Sequence, residues 1–139
     1  ESAAPGHLLK LEVAGNHLNT RMDPHQLTQV LDNLVTNAMR YTSEHNGKRT
    51  VEIILFRHHS PLLPVLEIRD TGPGVPVAEQ DALFEPFFTT DKQGTGLGLY
   101  IARELCESNQ ARLDYVARPG LGACFRITFA HPKSSGLQK

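Results

Sequence analysis

The sequence predicts a two-layer α/β sandwich, in which a mixed, mostly antiparallel sheet carries about three helices on one face. Three observations predict it. Segments with alternating apolar residues recur along the chain and fall into turn-linked pairs. Two longer stretches repeat their apolar residues at helical spacing, so each has one face to bury. The order β-β-α-β-β-α-loop-α-β-β joins neighbouring strands as hairpins, which excludes an all-parallel, doubly wound sheet. The 139 residues read as one domain, with 9–132 the folded unit, 1–8 the end of a linker from a longer chain and 133–139 a polar tail.

Leu9, Leu11 and Val13 alternate with Lys10 and Glu12, the period of a short half-buried strand, and a second extended piece is predicted over Thr20 to Met22. The first helix is announced by its start. Asp23 can cap, Pro24 suits the first helical position, and Gln26 stands where a capping box places its reciprocal acceptor. Leu27, Val30, Leu31, Leu34, Val35 and Ala38 then form one apolar stripe, which should end near Thr42, before the polar turn from Ser43 to Lys48. Thr50 to Arg57 and Val65 to Arg69 read as a hairpin whose long loop holds His58 and His59 and runs on from Pro61 to Pro64. The two histidines can be weighed as a metal pair, but solvated loop residues are the simpler reading. Asp70 to Pro76 is a Gly/Pro turn, Val77 to Leu83 a short helix, and Phe84 to Gly96 a loop. A second long helix over Leu97 to Asn109 carries Leu99, Ile101, Ala102, Leu105 and Cys106. Leu113, Tyr115 and Ala117 alternate in a strand. Pro119, Gly120 and Gly122 then turn the chain into the last one, Cys124 to Ala130.

Apolar residues make up 40% of the chain and charged residues 21%, a globular balance that argues against disorder. The formal net charge of −1 gives no reason to expect nucleic acid or an anionic membrane as partner. A polyanion must then be held locally, by positioned amides, a metal and a few cations. Cys106 and Cys124 show neither metal-ligand spacing nor a disulfide framework; their apolar neighbours predict buried, reduced thiols, which suits the cytosol. No signal peptide is evident, and no apolar run approaches the ~18 residues of a membrane span.

Four segments carry chemistry. On the first helix Asn33 and Asn37 share a face, with Arg40 and Tyr41 following on that side. Asparagine is a mediocre helix former, because its amide competes for backbone hydrogen bonds, so a pair of them in mid-helix asks for a reason. Either they belong to a solvated face, or an amide oxygen ligates a hard cation such as Mg2+. Asp70-Thr71-Gly72-Pro73-Gly74 directly follows a strand. It is either a tight turn with a capping carboxylate, or a site where that carboxylate accepts a hydrogen bond from an exocyclic amine. In the second case Gly72 and Gly74 let backbone approach a flat ring. Gly94 to Leu99 sets glycine-rich backbone before a helix N-terminus, where free N–H groups and the helix dipole favour phosphate. It lacks the Lys-Ser/Thr of a P-loop and the preceding strand of a Rossmann fingerprint, so those folds are disfavoured. Leu83 to Thr90 holds Phe84, Phe87 and Phe88. At least one of them should dock into the core and anchor a lid, with Lys92 as the lid's cation.

In order and spacing these segments resemble the four sequence boxes of bacterial sensor histidine kinases. Asn33 to Tyr41 looks like the N box, Asp70 to Gly74 the G1 box, Phe84 to Phe88 the F box and Gly94 to Leu99 the G2 box. The resemblance spans about Leu9 to Pro132, and its G2 and C-terminal stretches look similar to NtrB-like and PilS-like kinases. It implies the Bergerat (GHKL) fold, shared with gyrase B, MutL and the heat-shock chaperone ATPases. It also implies that Asn37, supported by Asn33, coordinates Mg2+, that Arg40 or Lys92 meets phosphate, and that Tyr41 borders the adenosine. By the same resemblance Asp70 holds adenine N6. Gly72, Gly74, Val75, Phe87, Thr95, Gly96, Leu97, Gly98 and Leu99 then line the ATP pocket. The chain departs from the family pattern in two respects. Ala123 and Cys124 stand where related kinases often carry a small hydroxyl residue that can bridge to the adenine site. Arg40 replaces a lysine, which keeps the charge but changes the hydrogen-bond geometry.

The activity implied is that of a protein histidine kinase domain. It would donate the γ-phosphoryl group of Mg-ATP to a histidine on its own dimerisation domain, with a response regulator downstream. The resemblance places such a domain in the cytoplasmic part of a membrane-anchored sensor, with no direct membrane contact of its own. None of the seven histidines sits in the family's acceptor context. Hydrolytic members of the fold place a glutamate one turn before the metal-binding asparagine, where it can activate water. Here that place is Asn33, an amide that cannot usefully accept a proton. The alternatives are a GHKL-type ATPase and a non-catalytic nucleotide-binding signalling module.

Overall fold

The computed structural model describes residues 7–13, 21–41, 49–59, 62–89, 96–118 and 120–130. In order, the elements are β1 (His7–Val13), α1 (Pro24–Tyr41), β2 (Arg49–His59), β3 (Leu62–Asp70), α2 (Val77–Gln80), α3 (Gly98–Ser108), β4 (Arg112–Tyr115) and β5 (Cys124–Thr128). The five strands form one sheet in the order β1-β2-β3-β5-β4. β1 runs parallel to β2, and the other three pairings are antiparallel. Parallel neighbours need a crossover, and α1 provides it. This is the mixed sheet the sequence predicts.

Pairing registers explain the core. Ile53, Ile68, Phe125 and Tyr115 form one row across β2, β3, β5 and β4, and Leu55, Leu66, Ile127 and Leu113 form the next. Val30, Leu34 and Ala38 of α1, spaced one turn apart, are buried against these rows with Ala102 and Cys106 of α3. Leu27, Leu31 and Val35 flank them as partly buried neighbours. The predicted stripe is therefore the one that packs. Among the described residues no helix is long and apolar enough to cross a membrane. Cys106 and Cys124 are buried free thiols, each pushed up to about 11 mainly by burial, so neither is a ready nucleophile.

The opposite face of the sheet holds a feature that the sequence reading missed. Glu67 is only 1% exposed, yet its row continues into Ile54, Arg126 and Asp114 on the outer side. Arg69 reaches one carboxylate oxygen through Nε at 2.9 Å and Nη2 at 2.6 Å, and Arg126 reaches the other through Nε at 2.6 Å. Burial opposes ionisation of Glu67, but the hydrogen bonds and charges of Arg69 and Arg126 outweigh it and hold the carboxyl below the usual range. The triad thus contributes stability above the pKa of an unfolded glutamate, and loses it as pH falls through the lower folded value.

Several boundaries differ from the sequence expectation. His58 and His59 are not in a loop: they extend β2, paired with Leu63 and Leu62. Pro64 lies inside β3, because it sits where the β5 ladder ends and needs to supply only an acceptor. Its carbonyl takes the Phe129 N–H at 3.0 Å. Of the extended piece at Thr20 to Met22, Thr20 is outside the described residues, and Arg21 and Met22 join no strand. The helix foreseen to Leu83 stops at Gln80 and continues as turns, with N–H bonds three residues back from Ala82, Leu83 and Glu85; Pro86 then prevents further helix. β4 ends at Tyr115 and β5 at Thr128, short of Ala117 and Ala130.

The start of α1 is capped as predicted on one side only. Asp23 Oδ2 accepts the Gln26 N–H at 3.0 Å. The reciprocal bond is made by Asn109, at the end of α3, rather than by Gln26. Asn109 Oδ1 accepts the Asp23 N–H at 3.1 Å, while its Nδ2 donates to Gln26 Oε1 and to the Leu105 carbonyl, each at 2.7 Å. One side chain thus closes both the N-terminus of α1 and the C-terminus of α3. Asn109→Ala is expected to lower unfolding stability by about 1–2 kcal/mol in urea titrations, the scale of a lost cap. An unchanged midpoint would show that the bridge is ornamental.

Candidate functional site

Chain direction brings the predicted segments to one end of the sandwich. As the crossover between parallel strands, α1 runs against β1 and β2, so it ends at Tyr41 on the side where β2 begins. At that same end Val51 is paired with Asp70, the last residue of β3, and Arg69 with Cys124, the first of β5. The Asn109 bridge fixes α3 antiparallel to α1, with its first turn pointing the same way as the end of α1. The 11 residues of α3 span ~16 Å. The 11 steps from Gln26 to Asn37 along α1 cover a similar length. Asn33 and Asn37 are half-buried on α1. Arg40 and Tyr41 close that helix; their side chains, and Lys92 and Thr95 entirely, lie outside the described residues.

Asp70 is 7% exposed and sits on the helix-facing side of the sheet, in register with Val51. Its Oδ1 accepts the Gly72 N–H at 2.8 Å and the Ala123 N–H at 3.1 Å. Among the described residues none donates to Oδ2, which leaves an acceptor for an incoming amine. Burial raises the Asp70 pKa above its ordinary value, against the opposing pull of the Ala123 and Gly72 amides and the Arg118 charge. Gly72 is buried behind the carboxylate. Gly74 adopts φ +79°, which favours glycine, and the half-buried Val75 donates its N–H to Tyr115 Oη at 3.1 Å.

The segments on either side of residues 90–95, which lie outside the described residues, meet through their backbones. The Phe87 N–H donates to the Gly96 carbonyl at 2.7 Å, and a Cβ at Gly96 would lie 2.4 Å from the Phe87 carbonyl carbon. Gly96 is therefore required both for its φ of +77° and for this approach. Phe84 and Phe88 dock against the core as expected, Phe84 edge-on to Phe125 with the Arg103 guanidinium 4.9 Å from its ring centre. Phe87 is 72% exposed. Leu97 precedes α3 without a side-chain cap, Gly98 opens the helix, and Leu99 packs on the core. The N–H groups of that first turn have no intrahelical acceptor and can meet an anion.

The fold that carries these segments has counterparts in known proteins. Residues 22–133 match the family described as histidine kinase-, DNA gyrase B-, and HSP90-like ATPase. The chain belongs to this family. Its similarity to sensor protein kinase PilS of Pseudomonas aeruginosa is 56% identity over 134 residues, which covers 93% of this chain and 25% of that protein. The chain thus spans about a quarter of the length of this curated relative. Among solved structures, the nucleotide-free catalytic domain of histidine kinase ThkA superposes with a TM-score of 0.74 at 29% identity, over 87% of this chain and 76% of that one. Full-length ShkA, solved in complex with AMPPNP, gives 0.75 at 27% identity, over 89% of this chain and 25% of that one. The histidine-kinase ATPase fold expected from the four boxes is the fold observed.

Sequence reasoning missed what the β4–β5 hairpin does for this ATPase domain. Ala123 stands where related kinases often carry a small hydroxyl residue, and here its main chain bonds Asp70 directly. Its N–H holds the Asp70 carboxylate, and its carbonyl accepts the Asp70 N–H at 3.0 Å. Gly122 allows that approach, for a Cβ there would stand 2.1 Å from the Asp70 carbonyl oxygen. The signal in the sequence was Gly120-Leu121-Gly122, which reads as simple turn punctuation.

Proposed function

We propose that this ATPase domain binds Mg-ATP and donates its γ-phosphoryl group to a histidine on a separate dimerisation domain, from which a response-regulator aspartate receives it. The reading is supported by chain direction, which carries the end of α1, the end of β3 at Asp70 and the first turn of α3 toward one end of the sandwich. Asp70 Oδ2 accepts adenine N6, with Gly72, Gly74, Val75 and Tyr41 around the base. The amides from Gly96 to Leu99 face the phosphates, with Thr95 beside them, Arg40 or Lys92 adding positive charge, and Phe87 at the lid.

The donor set fits magnesium shared with a nucleotide. Asn37 and Asn33 offer neutral amide oxygens, and among the described residues no cluster of three or more His, Cys, Asp or Glu could hold a metal without further ligands. Mg2+ takes few protein ligands where phosphates complete its shell, and it supplies charge neutralisation at the phosphate oxygens when bound. A partner imidazole nitrogen forms the new P–N bond as the β–γ bridging P–O bond breaks, and ADP leaves with the electron pair. The protein's work is positioning: the helix start, the carboxylate and the amides fix ATP for in-line attack. Asn33, where a hydrolytic relative needs a general base, leaves water unactivated.

The domain is expected to label the histidine-bearing domain of a family sensor kinase, supplied in trans with Mg and γ-labelled ATP, with acid-labile phosphate. Alone it should release phosphate slowly or not at all. Brisk release without a partner would make it an ATPase, and no Mg-ATP binding in a calorimetric titration would make it a non-catalytic module.

A further inference from the structure

We infer that Arg118 is a positioning residue of the base site, and that it sets adenine selectivity by fixing the Ala123 peptide that orients Asp70. The inference rests on the reading that Asp70 recognises the base, and adds a residue no box contains. Arg118 precedes the turn into β5. Its Nη2 lies 3.3 Å from the Leu121 carbonyl and 3.4 Å from the Ala123 carbonyl, while its own carbonyl accepts the Leu121 N–H at 2.9 Å. One guanidinium thus ties both ends of the Leu121 to Ala123 segment. That segment carries Gly122, packed on the Asp70 carbonyl, and Ala123, bonded to Asp70 through both its N–H and its carbonyl.

A surface turn needs no such clamp. The Arg118 Nε is buried and has no hydrogen-bond partner among the described residues. A guanidinium held at that cost has a local reason to be there. Its charge also favours the ionised form of the Asp70 carboxylate, against burial. Tyr115 supports the same geometry from β4. Its ring meets Phe125 edge-on at 5.3 Å, and its hydroxyl takes the Val75 N–H beyond the two glycines. The hairpin therefore grips the base-site loop at both ends, and Arg118 locks the hairpin.

A positioning role differs from a structural one in what it changes. A turn clamp alone alters stability; an orienting residue alters the preference for ATP, which carries the N6 amine, over ITP, which carries a carbonyl there. The test measures Kd for Mg-ATP and Mg-ITP on this chain and on Arg118→Met, Arg118→Lys, Arg118→Gln and Asp70→Ala. The Kd ratio cancels any change in the folded fraction. Arg118→Met is expected to cut the ATP-over-ITP preference by about 3–10-fold, the scale of one hydrogen bond, and Arg118→Lys to restore part of it. An unchanged ratio in Arg118→Met overturns the inference, provided Asp70→Ala abolishes the preference. If Arg118→Met does not fold, a wild-type ratio in Arg118→Gln overturns it equally, because the shorter, neutral side chain cannot reach both carbonyls as Nη2 does. If the unaltered chain shows no preference, or Asp70→Ala keeps it, the fault lies instead with the base reading itself.

Discussion

Gly122→Ala is expected to lower the melting temperature by roughly 10 °C or more and to remove measurable Mg-ATP binding. Two independent costs act at this position. The backbone holds φ at +90°, a conformation that costs an L-residue about 1–3 kcal/mol. The added methyl would also stand 2.1 Å from the Asp70 carbonyl oxygen and 3.1 Å from that of Gly72. Both obstacles are backbone, so no flexible side chain can swing aside. Relief requires the hairpin to retreat from the end of β3, which adds roughly 1–3 kcal/mol of displacement. It also breaks the two Ala123 bonds that orient Asp70. Against a total stability of roughly 5–15 kcal/mol the loss is large. Gly120→Ala is the internal control. Its φ is +80° but its added Cβ meets nothing within 4 Å, so it should show the conformational cost alone. Equal melting temperatures for the two variants would mean that the close approach to Asp70 carries no energy.

The pair of glycines shows where the sequence was readable and where it was not. A glycine before a strand announces a turn, and both positions carry that signal. Which of them touches another segment depends on a contact 52 residues away in the chain, between Gly122 and Asp70, and no local pattern encodes it. The same division runs through α1. Its apolar stripe was legible because burial at a period of 3.6 writes itself into composition, and Val30, Leu34 and Ala38 are the residues that pack. Its N-terminal cap was half legible. Asp23 acts on a neighbour three residues on, whereas the reciprocal partner, Asn109, lies 86 residues ahead. Pro64 misled for a related reason. Proline signals a break in a strand, but a strand position that only has to accept tolerates it, and only the sheet order shows which positions those are. Glu67 was invisible because a Glu-x-Arg strand looks solvated until a third residue, Arg126, closes over it from β5.

Asp70→Asn should separate binding from folding more sharply than any other single change. The asparagine can keep its Oδ1 beneath the Gly72 and Ala123 amides, so the local hydrogen bonds survive. Its amide nitrogen then occupies the Oδ2 position, and a donor faces the adenine N6 donor. Loss of one charge-assisted bond is worth ~1.5–3 kcal/mol, so Mg-ATP affinity should fall about 10–150-fold. Stability should move the other way. Burial holds the Asp70 pKa above its ordinary value, so the folded chain binds that proton more readily than the unfolded chain. Its contribution to stability is greatest below the unfolded pKa and declines as pH rises through the folded one, so near neutrality the buried charge is a liability. Asparagine carries no charge to bury. The variant is therefore expected to melt at or above the parent temperature at pH 7, and to lose that advantage on acidification as Asp70 protonates. This is the usual balance at a binding site, where a group placed for its ligand destabilises the empty fold. Thermal melts at neutral and acid pH, paired with calorimetric titrations, measure both halves. Undiminished affinity would remove Asp70 from the base site. A lower melting temperature at pH 7 would show that Arg118 and the two amides more than offset the burial of the carboxylate.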